Sequence, residues 1–252
     1  MITRRLAVAA ILGMLAIAGI AGCRSAPSVA AYVGDRSYTI TEVDQIHDEI
    51  QAKYQADLKA AGLPPQTNEL VSRQKVVSIL VARDVAKALA ESKKLTKSNI
   101  TAQQVAQVEG VPADTRYAQT LAEYHGYLDA LDKAATATNP SDADLQFVVD
   151  QLVQAQALEP MSLEQARAAL GEGNLGVLAR AGQVRDEMQA QARTANVVVN
   201  PRYAPAQEAV LELPANQGPS VPLVVVRFDQ STGTPAVVDR TNPDAAPAQS
   251  AA

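Results

Sequence analysis

Two histidines, His47 and His125, and one cysteine, Cys23, are the side chains of this 252-residue chain best suited to proton transfer, metal ligation or covalent chemistry. His47 sits in Asp44-Gln45-Ile46-His47-Asp48-Glu49, so on a helix Asp44 lies one turn before it and can orient its imidazole as a base. The same i,i+3 spacing describes an ordinary solvated helix face, and no further ligand at H-E-x-x-H spacing accompanies it. His125, between Tyr124 and Gly126, flanks an amphipathic stripe and reads as a boundary residue. Carboxylates pair at Asp48-Glu49 and at Asp142 with Asp144. Acid–base work needs such groups in a desolvated pocket with separated pKa values. These fall instead at helix starts or on polar faces, where acids favour the helix dipole. There is no G-x-S-x-G, no phosphate-cradling glycine loop and no Rossmann fingerprint. These residues predict no catalytic centre, no metal and no cofactor.

Cys23 has a more informative setting. Arg4 and Arg5 open the chain, residues 6–20 are apolar or small without a charge, and Ile20-Ala21-Gly22 leads into the cysteine. A charged start, an apolar run and small residues are the parts of a secretory signal. With Cys directly after them, the pattern resembles the lipobox of bacterial lipoproteins. The resemblance implies that residues 1–22 are a signal peptide and that Cys23 is the lipidation site, joined to diacylglycerol after cleavage. The apolar run is shorter than the ~20 residues of a transmembrane helix. Each buried methylene contributes ~0.8 kcal/mol, and two acyl chains anchor stably where one does not. The expected location is the cell membrane, lipid-anchored and facing the extracytoplasmic side.

Cleavage before Cys23 leaves 230 residues, and losing Arg4 and Arg5 moves the net charge from −5 to −7. An acidic surface with dispersed lysines argues against nucleic acid as a partner, because phosphate binding rests on clustered cations. An acylated Cys23 leaves no thiol for a disulfide, a thiolate metal site or thiol catalysis. The chain has no Trp and only two Phe. Its core must rest on Leu, Val, Ile and close Ala contacts, a composition that favours helices over a compact α/β enzyme.

The elements follow from patterning. Residues 23–29 form a tether containing Pro27. Ala30-Ala31-Tyr32-Val33 reads as a strand, Gly34-Asp35 as a turn, and Tyr38 opens a second extended piece. Thr39 with Glu42, or Thr41 with Asp44, has capping-box spacing, so a helix begins near Glu42 with Val43, Ile46, Ile50, Tyr54 and Leu58 on one stripe. It ends near Gly62, ahead of Pro64-Pro65. A second helix spans residues 68–92, and apolar residues nearly encircle it at 76–81, the mark of a central helix. A short helix at 101–108 stops at Gly110. The helix at 114–134 carries Tyr117, Leu121, Tyr124, Leu128 and Leu131 on one face. Ser141-Asp142 starts another, closed by Pro160. Ser162 with Gln165 opens a short helix to Leu170, Gly171, Gly173 and Gly176 mark a turn, and residues 178–192 form the last helix. Asn196-Val197-Val198-Val199-Asn200 has strand composition. Residues 208–213 and 222–228 are two more strands, and residues 229–252 are too poor in large apolar side chains to fold.

This layout resembles the N-terminal chaperone domain of SurA, shared by PrsA-type foldase lipoproteins and by the C-terminal module of trigger factor. The residues carrying the resemblance are Ala30-Ala31-Tyr32-Val33-Gly34-Asp35, Tyr38-Thr39-Ile40-Thr41-Glu42-Val43-Asp44, and Val197-Val198-Val199-Asn200-Pro201-Arg202-Tyr203. It implies a fold that is mostly α with a small β element, a multi-helix chaperone-like domain over residues 30–203 whose N-terminal strand pairs a late strand. Residues 204–228 form a β-hairpin extension without a counterpart in the family, and residues 229–252 a disordered tail. No parvulin isomerase domain is recognisable: Gly171-Glu172-Gly173-Asn174-Leu175-Gly176 is only superficially similar to a parvulin turn, with no histidine-bearing strand before it. The resemblance implies a lipid-anchored, non-catalytic chaperone or holdase whose partners are unfolded or nascent exported polypeptides. The sequence places the peptide-binding residues at Tyr117, Leu121, Tyr124 and Leu128, which could equally pack in the core. The alternative is a structural or adaptor envelope lipoprotein that binds one folded partner.

Overall fold

Six hydroxyl side chains set the helical frame. Thr39, Ser72, Thr101, Thr115, Ser141 and Ser162 each accept a hydrogen bond from the backbone N–H three residues on, and each opens a helix. One such cap contributes about 1 kcal/mol and fixes where the helix begins. The computed structural model describes residues 26–214 and 220–228. Within them lie α1 (Ile40–Ala60), α2 (Arg73–Ser92), α3 (Ala102–Glu109), α4 (Arg116–Ala134), α5 (Asp142–Gln154) and α6 (Leu163–Thr194). The segment expected to be a signal peptide (residues 1–22), Cys23 with residues 24 and 25 of the expected tether, residues 215–219 and residues 229–252 lie outside the described residues.

The protein is mostly helical with small antiparallel strands, as its composition and patterning predict. Val29–Val33 (β1) pairs with Arg36–Thr39 (β2) across a turn at Gly34, where φ is +59°. On its other edge β1 pairs with Val198–Val199 (β3), Ala31 opposite Val199 and Tyr32 opposite Val198, giving the order β2-β1-β3. The expected return of the chain onto its first strand is present, shortened to two residues. Gln207–Leu213 (β4) and Val221–Arg227 (β5) form a separate antiparallel hairpin.

Helix α2 is the central element. Every residue from Val76 to Ala82 is buried, because α1, α4, α6, β1 and β4 all pack on it. Its start is corrected: residues 68–71 lie outside the helix, and Ser72 caps it. Helix α1 begins at Ile40, earlier than Glu42, because Thr39 is the residue that accepts from the Glu42 N–H. Tyr38 is wholly buried behind this junction. Its hydroxyl donates to Asp84 at 2.5 Å and accepts from Arg83 at 3.0 Å, while Arg83 donates to Glu123 at 2.6 Å. The sheet, α2 and α4 are thus tied by one polar chain. Burial, then the Asp84 carboxylate, pushes the Tyr38 phenol well above its ordinary value, so it stays a donor.

Two corrections concern the later helices. Helix α5 ends at Gln154, six residues before Pro160, where Gln156 adopts φ +56° and turns the chain. Of the three glycines read as a turn, only Gly171 leaves helical geometry (φ 70°, ψ 165°); Gly173 and Gly176 are inside the helix. One break therefore divides α6 into a short arm and a long one, and the 171–176 segment is not a parvulin-like turn.

Candidate functional site

The buried residues form two cores. The larger gathers β1, α1, α2, α4 and the C-terminal part of α6. The smaller holds Leu145, Val148, Val149, Leu152, Ala166, Leu178, Ala181 and Val224, contributed by α5, α6 and β5. The two are bridged at the hairpin, where Val210 touches both. Gln183 splints the α4–α5 connection onto α6: its side-chain oxygen accepts from the N–H groups of Thr136 and Ala137 at 3.0 and 2.9 Å.

On the outer side of the small core lies an open apolar cleft of about 240 Å³. One wall is the Val148, Val149 and Leu152 face of α5, and the opposite wall is Ala166, Ala169 and Leu170 on the short arm of α6. The connection between these helices closes one end. Ala157 and Leu158 both donate their N–H to the Leu152 carbonyl, at 2.8 and 3.2 Å, folding residues 155–158 back over the helix they leave. This brings Leu158 and Met161 to the cleft, and Leu213 at the end of β4 closes the other side. Leu158 and Leu213 are 37% and 43% exposed at its edge. The space exists because Ala157, Ala166 and Ala169 stand where larger side chains would fill it. It is smaller than the ~300–1,000 Å³ of pockets for drug-sized ligands and lacks a convergent polar array. Its chemistry is to remove a few apolar side chains from water.

A buried clamp holds the cleft's α5 wall. Asp144, in the first turn of α5, accepts from Arg185 of α6 and from the Ser141 hydroxyl at 2.7 Å. Burial alone would raise its pKa, but the hydrogen bonds from Arg185 and Ser141 outweigh it and hold the carboxyl below the usual range. Asp144 is therefore not on an exposed face, as its sequence position suggests; Asp142 is exposed and pairs with Arg167 at 2.6 Å. A Cβ on Gly182 would meet the Asp144 Oδ2 at 3.0 Å, so glycine makes room for this clamp.

The stripe proposed from sequence lies elsewhere. Tyr117, Leu121 and Tyr124 are buried in the larger core, and Leu128 is half-buried against it. Three of the four are thus core, because α2, α3, α1 and α6 pack on α4, and the Tyr124 hydroxyl bonds Ala209 of the hairpin. No protein-family model matches the chain, and no curated protein or solved structure is significantly similar to it.

The remaining sequence candidates do not assemble a reaction centre. His47 is buried and not solvated: its Nδ1 lies 3.0 Å from Asp48 and its Nε2 3.4 Å from Glu69. Asp44 binds Arg73 at 2.6 Å in place of the histidine. The reason is the α1–α2 connection, which brings Glu69 and Arg73 over that face. His125 is half-buried, and burial, then Lys75, lowers its pKa. Among the described residues no group of three His, Cys, Asp or Glu is placed to hold a metal ion, and no helix is long and apolar enough to cross a membrane. Leu158, Met161 and Leu213 carry the cleft, yet periodicity could not single them out because none lies within a helical stripe. Their signal is apolar side chains beside Pro160 and Pro214, at the ends of elements.

Proposed function

We propose that this protein is a lipid-anchored extracytoplasmic holdase, non-catalytic, that shields apolar segments of unfolded exported polypeptides in the cleft between α5 and α6. The observation that carries the reading is the open apolar cleft, with two leucines more than a third exposed on its rim. Burying one Leu- or Val-sized side chain there contributes roughly 1.5–3 kcal/mol, from which the costs of association must be subtracted. A cleft that takes only a few such side chains binds weakly and releases readily, as a holdase must. The lipobox-like residues around Cys23 supply the address.

The test is light scattering of an aggregating, chemically unfolded client with the chain in several-fold excess. Suppressed scattering supports the reading, and unchanged scattering removes it. A single folded partner recovered at fixed stoichiometry by crosslinking, without capture of unfolded chains, selects the adaptor reading. For the anchor, Cys23→Ser should move the chain from the membrane fraction to the soluble one and abolish labelling by a palmitate analogue; unaltered fractionation and labelling reject lipidation at this residue.

A further inference from the structure

We infer that a small pocket between the last turns of α6 and the end of β5 binds a phosphate group. It shares no lining residue with the cleft and does not depend on what the cleft holds. Its walls are Gln189, Ala192, Arg193, Val197, Arg227 and Phe228. Gln189 and Arg193 are four residues apart on α6 and so share one helix face. Arg227 is the last residue of β5, and the Phe228 N–H donates to the Ala206 carbonyl at 2.8 Å, which fixes the strand's end. Ala192, Val197 and Phe228 are buried and form an apolar back wall.

The charges lining this pocket are all of one sign. Seven of the ten described arginines pair with a carboxylate, and Arg193, Arg202 and Arg227 do not. Two of those three line this one pocket, and no Asp or Glu does. Arg227 also borders a larger depression that holds Asp144 and Asp186, but Arg185 takes both of those carboxylates. The Gln189 side chain makes no hydrogen bond among the described residues. The dipole of α6 accounts for Arg193 in its last turn but not for a second guanidinium beside it. Nor do the carbonyls at that helix end occupy the guanidiniums. Those of Gln191, Ala192 and Arg193 accept from the N–H groups of Ala195, Val197 and Asn196.

Two like charges facing one small space repel, and an anion between them turns that repulsion into two charge-assisted contacts. A carboxylate presents two oxygens, which a single guanidinium fork satisfies. Two forks and a carboxamide call for three or more acceptor oxygens, the complement of a phosphate group. The pocket's volume is about 30 Å³, against the ~10–15 Å³ of one enclosed water. It therefore seats a group of a few oxygens and neither a ring nor an extended side chain. The apolar back wall lowers the local dielectric and strengthens each contact. Free phosphate, a phosphomonoester and a phospholipid headgroup share this chemistry.

The test titrates inorganic phosphate into the full chain at low salt and follows the arginine Nε–Hε signals by NMR. Acetate is run in parallel, as is dimethyl phosphate, which carries the diester of a lipid headgroup. Saturable shifts are expected at Arg193 and Arg227 and at no carboxylate-paired arginine, with phosphate at least about tenfold tighter than acetate. Arg193→Gln and Arg227→Gln should each weaken phosphate about tenfold. Arg227→Lys, which keeps the charge and loses the fork, should weaken it less. Dimethyl phosphate moving the same two signals as strongly identifies a lipid headgroup as the source, and a response to inorganic phosphate alone identifies free phosphate or a monoester. Acetate binding as tightly as phosphate overturns the ligand class. No saturable shift, or shifts unaltered by the two Gln variants, overturns the site. Binding that appears only in Asp229→Asn, the acid two residues after Arg227, means that the chain's own carboxylate fills the pocket and overturns it too.

Discussion

The hydroxyl of Tyr124 donates a 3.0 Å hydrogen bond to the backbone carbonyl of Ala209, joining the middle of α4 to the first strand of the hairpin. Tyr124 is wholly buried, and burial, then Glu208, pushes its phenol far above the ordinary value, so it remains a donor. Tyr124 thereby ties α4 to the hairpin.

Tyr124→Phe should therefore cost about 0.5–1.5 kcal/mol of stability, because it removes a part-buried hydrogen bond to the hairpin backbone. Urea unfolding measures the loss, and client binding should be unchanged. An unshifted unfolding midpoint combined with weakened client capture would instead make the tyrosine stripe the binding surface.

A second consequence of the hairpin is a pH dependence. Glu208 on β4 is 5% exposed and ion-paired to Lys75, and its Oε2 is buried without a hydrogen-bond partner. Burial raises its pKa above 4.5, Lys75 opposes this, and Glu212 and Glu109 add to the rise. The folded state thus holds a proton that the unfolded state releases. The stability this contributes is fully present below pH 4.5 and is lost as pH rises through the higher folded value. His125 works in the opposite sense, since its lowered pKa removes stability as pH falls through 6.5. The unfolding free energy of wild type minus that of Glu208→Gln isolates the carboxylate. It should grow as pH falls from neutral towards 4.5, and a flat difference over that whole range would contradict the assignment.

Asn200 is the third point of leverage. Its side-chain amide donates to the Val29 carbonyl at 3.1 Å, its side-chain oxygen accepts from Arg202 N–H at 3.1 Å, and its own N–H donates to the Ala30 carbonyl at 2.9 Å. Asn200→Ala keeps the last bond and loses the first two, which should cost about 1–2 kcal/mol. Native-state hydrogen exchange should show the β1 amides opening sooner. Unaltered protection there would mean that β1 is held by its β2 partner and by burial alone.

Local chemistry was legible in the sequence, and what covers what was not. Thr101 with Gln104 and Ser162 with Gln165 form full capping boxes, and Gly110 ends α3 in the left-handed conformation, because each of these signals acts within one helical turn. The apolar run at Val76–Val81 announced a helix covered on all sides. Gly173 and Gly176 misled, since helix propensity at about 1 kcal/mol per glycine is overridden when Leu175 and Leu178 pack into the small core. The stripe at Tyr117, Leu121 and Tyr124 correctly marked a buried face. The hairpin that helps bury it arrives more than eighty residues later, beyond any periodicity. The cleft was hidden for a similar reason: it arises only where α5, the short arm of α6 and the end of β4 meet, elements that periodicity cannot place together.

The pairing of β1 with β3 sets a timetable for the molecule's own birth. Ala31 and Val199 face each other across the sheet, so a chain made from its N-terminus at ~5–20 residues per second holds β1 without its second neighbour for roughly 10–30 s. Closing so long a loop costs only slowly more entropy than closing a short one, so the delay comes from delivery. During that interval the first strand has one open edge and the central helix lacks its α6 cover. Before it is finished, each copy is itself an incomplete apolar chain of the kind its cleft is proposed to shelter.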